Sequence, residues 1–127
     1  MGQPHRAIRA WEKVLAVQPR HEDVLEAMAI HYHESQDLTN ARRYYERLLE
    51  VNPDRSYYYG RLAHVLGQLG EMRRGIDMAE RCLVLNPSLV QTHAWLVEAY
   101  RSVGDEERAA IHQALLSRFA PERKKNP

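Results

Sequence analysis

The chain has 127 residues, 44% of them hydrophobic and 28% charged, with 18 lysines and arginines against 17 aspartates and glutamates. So even a balance argues against a surface for nucleic acid or for an anionic membrane, and no apolar run approaches the roughly 20 residues that a membrane-spanning helix needs. With Cys82 as the single cysteine an intrachain disulfide is excluded, and nothing in the cysteine content points to secretion.

Apolar residues spaced by three and four predict helices over about residues 3–17, 22–35, 38–51, 56–69, 72–85, 90–103 and 105–119, with no strand. The first helix carries Ala7, Trp11 and Val14 and ends before Pro19. Pro53, Pro87 and Pro121 follow at a constant interval of 34 residues, and a fixed period of that length marks a chain of stacked units. Each proline pushes the residue before it, Gln18, Asn52, Asn86 or Ala120, out of the helical region and stops the helix there.

Three windows, 22–55, 56–89 and 90–123, share more than the proline. The fourth place of each holds Leu25, Tyr59 and His93, and the seventh and eighth hold Met28-Ala29, Leu62-Ala63 and Leu96-Val97. The eleventh holds Tyr32, Leu66 and Tyr100, and the turn place holds Gln36, Gly70 and Gly104. A second helix then brings Ala41, Gly75 and Ala109, followed by Tyr45, Ala79 and Gln113, and by Leu48, Cys82 and Leu116. The small residues fall where the two helices of a unit should cross and let their axes approach closely. Tyr32, Tyr45, Tyr59 and Tyr100 are expected in the core, Trp95 over a seam between units, and Cys82 as buried filler.

In period, place and order this pattern resembles the tetratricopeptide repeat family. His93 departs from it where a large apolar residue is usual, Gln36 where a turn glycine is usual, and Gln113 where an aromatic is usual. The resemblance implies an all-α fold, a right-handed α-solenoid of antiparallel helix pairs with about seven helices. Residues 1–20 then form the second helix of an incomplete repeat, 22–55, 56–89 and 90–121 three full repeats, and 122–127 a polar tail. A repeat helix without its neighbour leaves an apolar face open. The first helix is therefore expected to belong to a longer array or to be covered by another chain, and both ends to favour self-association.

No nucleophile elbow, phosphate loop, paired-cysteine metal motif or HExxH sequence is present, so neither catalysis nor a cofactor is expected. His31, His33 and Glu34 look like ligands only superficially, because residues two apart on a helix point to different sides. No metal site is expected.

The resemblance also implies a groove formed by the first helix of each unit, binding a peptide or helix of a partner protein. The groove-facing places are Asp23, Glu26, Ile30 and His33 in the first unit. Tyr57, Gly60, His64 and Gly67 occupy them in the second, and Gln91, Ala94, Glu98 and Arg101 in the third. The lysines and asparagines with which the family's best-known groove grips a chaperone's terminal carboxylate are missing here. Two readings of this groove stand. In one, Asp23, Glu26 and Glu98 make it acidic, Gly60 and Gly67 vacate its floor, and a basic or neutral peptide anchors an apolar side chain beside Tyr57. In the other, the glycines and acids carry no function. The class expected is a non-catalytic scaffold; the alternative is a regulatory or substrate-recruiting segment of a larger enzyme. A cytoplasmic location is only the default.

Overall fold

The computed structural model describes residues 3–120, with side chains from His5 onward; Gly2, Pro121 and the tail 122–127 lie outside the described residues. Its elements are α1 (Gln3–Val17), α2 (Glu22–Glu34), α3 (Leu38–Val51), α4 (Ser56–Gln68), α5 (Met72–Leu85), α6 (Val90–Ser102) and α7 (Glu106–Phe119). The helices end within one residue of the sequence expectation. Among the described residues there is no strand, and no helix is long and apolar enough to cross a membrane.

Short turns fold α2 onto α3, α4 onto α5 and α6 onto α7, and these three hairpins stack in chain order as a helical-repeat solenoid. Two turns use glycine at positive φ, Gly70 at 85° and Gly104 at 80°. Gln36 adopts the same left-handed geometry at 62° with no glycine to ease it, and its side chain donates to the His33 carbonyl at 3.2 Å. Before Pro53 and Pro87, Asn52 and Asn86 leave the helical region with φ of −141° and −145°. Side chains of His21, Asp37 and Asp105 accept from backbone N–H groups at the starts of α2, α3 and α7.

The small residues bring the helices together. An added Cβ on Gly75 in α5 would stand 2.9 Å from the Ala63 carbonyl oxygen of α4, so that crossing has no room for a methyl group. Leu25, Met28, Ala29, Ala41, Tyr45 and Leu48 are fully buried in the first full unit, and Leu96, Ala99, Tyr100 and Ala109 are buried in the last. Two tyrosines depart from the expected core. Tyr59 is only half-buried, and its neighbour Tyr58 is fully buried instead. The hydroxyl of Tyr58 donates to Glu22 at 2.7 Å and accepts from Arg55 at 2.9 Å, which fixes the ring in the seam between α2 and α4. Tyr32 is half-buried and stacks on Tyr44 at 5.6 Å.

At the ends, Leu15 is buried and Trp11 lies edge-on to His31 at 6.3 Å, while Val17 is 81% exposed. On α7, Gln113 and Ser117 are exposed where the preceding unit has buried Ala79 and Leu83, and Ile111 and Phe119 are exposed as well.

Candidate functional site

A cavity of about 540 Å³ opens between α4 and α6, with Ala79 and Cys82 of α5 beneath it. Its size lies within the range of small-ligand and anchor-residue pockets. Tyr57, Gly60, Arg61 and His64 come from α4, Gln91, Thr92, Ala94 and Trp95 from α6, and Ser56 and Leu89 stand at the helix starts. Of the expected groove residues, Tyr57, Gly60, His64, Gln91 and Ala94 border it. Asp23, Glu26, Ile30 and His33 of α2, and Glu98 and Arg101 toward the end of α6, are not among its walls.

The two glycines behave differently. At Gly60 a Cβ would meet the Cys82 Sγ at 3.5 Å and the Thr92 Oγ1 at 3.7 Å, ordinary contacts, so its missing side chain is real space in the floor. At Gly67 a Cβ would meet the Trp95 ring at 3.0 Å and the Met72 methyl at 3.4 Å. That vacancy is taken by the chain's own indole, which also covers Gly75. Trp95 thus closes a seam and walls the cavity at once.

A row of rings crosses the first helices of successive units. His33 lies edge-on to His64 at 6.2 Å, and His64 lies edge-on to Trp95 at 6.2 Å. His33 accepts from Arg61 through Nδ1 at 2.8 Å and donates through Nε2 to Gln68 at 2.7 Å, so both its nitrogens are engaged within the protein. Burial first, and then the Arg61 charge, hold the His64 imidazole below its ordinary pKa and favour the neutral ring.

Two of the three expected groove acids, Glu26 and Glu98, are paired in place, and Asp23 has no ion pair among the described residues. Glu22 and Glu26 face Arg55 at 3.3 and 3.6 Å, and Glu26 and Glu98 belong to pairs, Glu98 facing Arg101 at 3.4 Å. Arg61, by contrast, has no carboxylate within ion-pair distance among the described residues. It meets neutral groups only, His33 and the Tyr45 hydroxyl at 3.5 Å, and it borders the cavity. Sequence reasoning passed over Arg61 and Thr92 because both lie one place from the positions the repeat pattern assigns to the groove. No spacing in the chain marks them; Arg61 is brought in by His33, on another helix.

Cys82 is buried beneath the cavity, its Sγ 3.5 Å from the Thr92 hydroxyl, and burial pushes its thiol pKa up. It behaves as packed filler that also forms floor.

Stacked helical hairpins with an open pocket on the first-helix face define a helical-repeat protein of the interaction class. A tetratricopeptide repeat profile matches residues 1–65 and another matches residues 56–89. The chain belongs to the tetratricopeptide repeat family, whose repeats serve in general as scaffolds for protein partners. Among solved structures, the fold is similar to that of MamA, with a TM-score of 0.85 and 21% identity over 90% of this chain and 67% of the other. A double mutant of MamA RS-1 gives a TM-score of 0.88 at 18% identity over 98% of this chain and 70% of the other. The chain spans about two thirds of the length of these structures.

Proposed function

We propose that the chain is a non-catalytic scaffold whose α4–α6 cavity takes an apolar or aromatic anchor residue from a peptide of a partner protein, with a carboxylate of the same peptide against Arg61. The cavity over Gly60 carries this reading. It offers an open apolar floor beside the 41%-exposed Tyr57 ring, with the neutral His64 and Trp95 as walls. Rigid aromatic area next to a vacant pocket suits a buried anchor, and a guanidinium without a carboxylate partner gives the peptide direction. An acidic ligand is favoured over the basic or neutral one because Glu26 and Glu98 are already paired, whereas Arg61 at the cavity has no carboxylate within ion-pair distance among the described residues.

The test is to pan a random peptide library over the native chain, over Tyr57→Ala and over Gly60→Leu, which fills the floor. Peptides carrying an aromatic or aliphatic residue near an aspartate or glutamate should be enriched on the native chain and lost on both variants. Enriched peptides that bind all three proteins equally, or that carry no acid, would refute the proposal.

A further inference from the structure

The open cavity between α4 and α6 has a closed counterpart one unit earlier. Tyr58 and Thr92 stand at the same place of the repeat, third in α4 and third in α6. In the seam between α2 and α4 the Tyr58 ring is fully buried, and its hydroxyl donates to Glu22 at 2.7 Å with Glu26 at 3.5 Å. Arg55 lies over that ring, its guanidinium carbon 4.8 Å from the ring centre. In the next seam the Thr92 Oγ1 is 3.5 Å from the Cys82 Sγ and 3.7 Å from where a Cβ on Gly60 would stand.

One period on, Glu26 is replaced by Gly60, Tyr45 by Ala79, Leu48 by Cys82 and Tyr58 itself by Thr92. Four large side chains give way to small ones at a single seam, and the cavity of about 540 Å³ is lined by all four of the small residues. Glu22 and Arg55, which fix the Tyr58 hydroxyl, are replaced by Ser56 and Leu89, and these border the cavity as well. The place of a buried ring is thus kept while the ring is gone. An ion pair at its end has become a hydroxyl and an aliphatic side chain, which suit a phenyl or phenol tip and not a charged one.

We propose that this cavity is a socket for an aromatic ring supplied by the partner: the anchor is a phenylalanine or tyrosine of an acidic peptide segment, seated as Tyr58 is seated one unit earlier, and Thr92 is the residue that keeps the socket open. This rests on the scaffold reading above and narrows its anchor from any apolar residue to an aromatic one. Tyr57 and Trp95 border the socket, and the offset and edge-to-face arrangements that a flat ring makes with such neighbours are closed to an aliphatic group of similar size. Charge selects what flanks the anchor. Arg61 borders the socket with no carboxylate within ion-pair distance among the described residues, so an aspartate or glutamate beside the ring completes the match.

The test uses the whole chain and three probes, N-acetylphenylalanine, N-acetylcyclohexylalanine and N-acetylleucine, which each carry one carboxylate and differ only in the side chain. In titrations followed by the amide NMR signals of Gly60 and Thr92, the phenylalanine derivative should bind about two- to twelvefold more tightly than the cyclohexylalanine one, the advantage of an aromatic pair beyond its buried area. The leucine derivative should be weaker again. Thr92→Tyr puts the chain's own ring in the socket and should weaken binding of the phenylalanine derivative by about tenfold or more. Equal binding of the phenylalanine and cyclohexylalanine derivatives would overturn the aromatic assignment and leave the apolar anchor standing. Binding of none of the three would overturn the socket, and the peptide panning then shows whether the anchor reading falls with it. A folded Thr92→Tyr protein that binds like the native chain would overturn the placement of the ring. Where that variant does not fold, the three titrations of the native chain decide.

Discussion

Alanine substituted for Gly60 and for Gly75 should have opposite effects on stability. Both glycines stand inside helices, α4 and α5, where alanine is favoured over glycine by about 1 kcal/mol of intrinsic propensity. At Gly60 the new methyl group makes contacts of 3.5 and 3.7 Å with Cys82 and Thr92, so the gain is kept. At Gly75 it meets the Ala63 carbonyl oxygen at 2.9 Å, the Trp95 ring at 3.1 Å and the Gly67 backbone nitrogen at 3.4 Å. Two of the three neighbours are backbone, so α4 and α5 must move apart, and overpacking of that kind costs about 1–3 kcal/mol. Gly60→Ala is therefore expected to stabilise by about 1 kcal/mol, a rise of about 4 °C in Tm for a domain of this size. Gly75→Ala is expected to be neutral at best and to destabilise by as much as about 2 kcal/mol once the propensity gain is subtracted. Thermal and urea melts followed by circular dichroism measure both. The equivalent places hold Ala41 and Ala109, so repeat pattern alone foresees no harm from alanine at Gly75. A Gly75→Ala protein as stable as Gly60→Ala would show that the α4–α5 crossing is looser than its geometry implies.

Gln36→Gly should raise stability by about 0.5 kcal/mol, the relief of left-handed backbone partly offset by a freer unfolded chain, and the same melts decide it. Tyr58→Phe removes the hydroxyl that donates to Glu22 and should cost about 1–2 kcal/mol near neutral pH. That hydroxyl is the largest cause, ahead of Asn52 and Arg55, holding the Glu22 carboxyl below its ordinary pKa. The associated stability is present above the ordinary carboxylate range and is lost as pH falls through the depressed value, so the gap between native and Tyr58→Phe proteins should close in acid. A gap independent of pH in a urea-melt series would contradict this assignment. Cys82, buried and with its thiol pKa raised, should react with a thiol reagent far more slowly in the folded chain than in urea. Equal rates would place the floor of the cavity within reach of solvent.

The helices were legible because a 34-residue period constrains them together: each proline stop and each apolar face is repeated, so an error in one unit is corrected by the others. Gln36 shows the strength of that constraint. The residue is a poor choice for left-handed backbone, yet the turn forms at the place where Gly70 and Gly104 form theirs. The site was legible only in part, because the period says which places face the groove and not what crosses between units. Tyr57, His64 and Gly60 lie on expected places and do border the cavity. Gly67 lies on one too, but a ring from α6 fills its space. Arg61 and Trp95 share a place that the pattern leaves unassigned, and their roles depend on partners on neighbouring first helices, His33 for the one and His64 for the other.

The same limit explains Tyr58 and the buried pair His93 and His112. Tyr59 satisfies the repeat pattern, but Tyr58 gains full burial because Glu22 and Arg55, from α2 and the loop after α3, meet its hydroxyl. His93 looks like a defect in the pattern until His112 and Glu80 are seen beside it, one on each neighbouring second helix. A polar residue at an apolar place is costly when buried alone and tolerable when its hydrogen bonds are met. Departures from a repeat pattern are thus where the individual chain differs from its family. Here His93 and Gln113 lie in the last hairpin and Gln36 in the turn between α2 and α3, while the cavity between α4 and α6 is built from residues beside the pattern places, Arg61, Thr92 and Trp95.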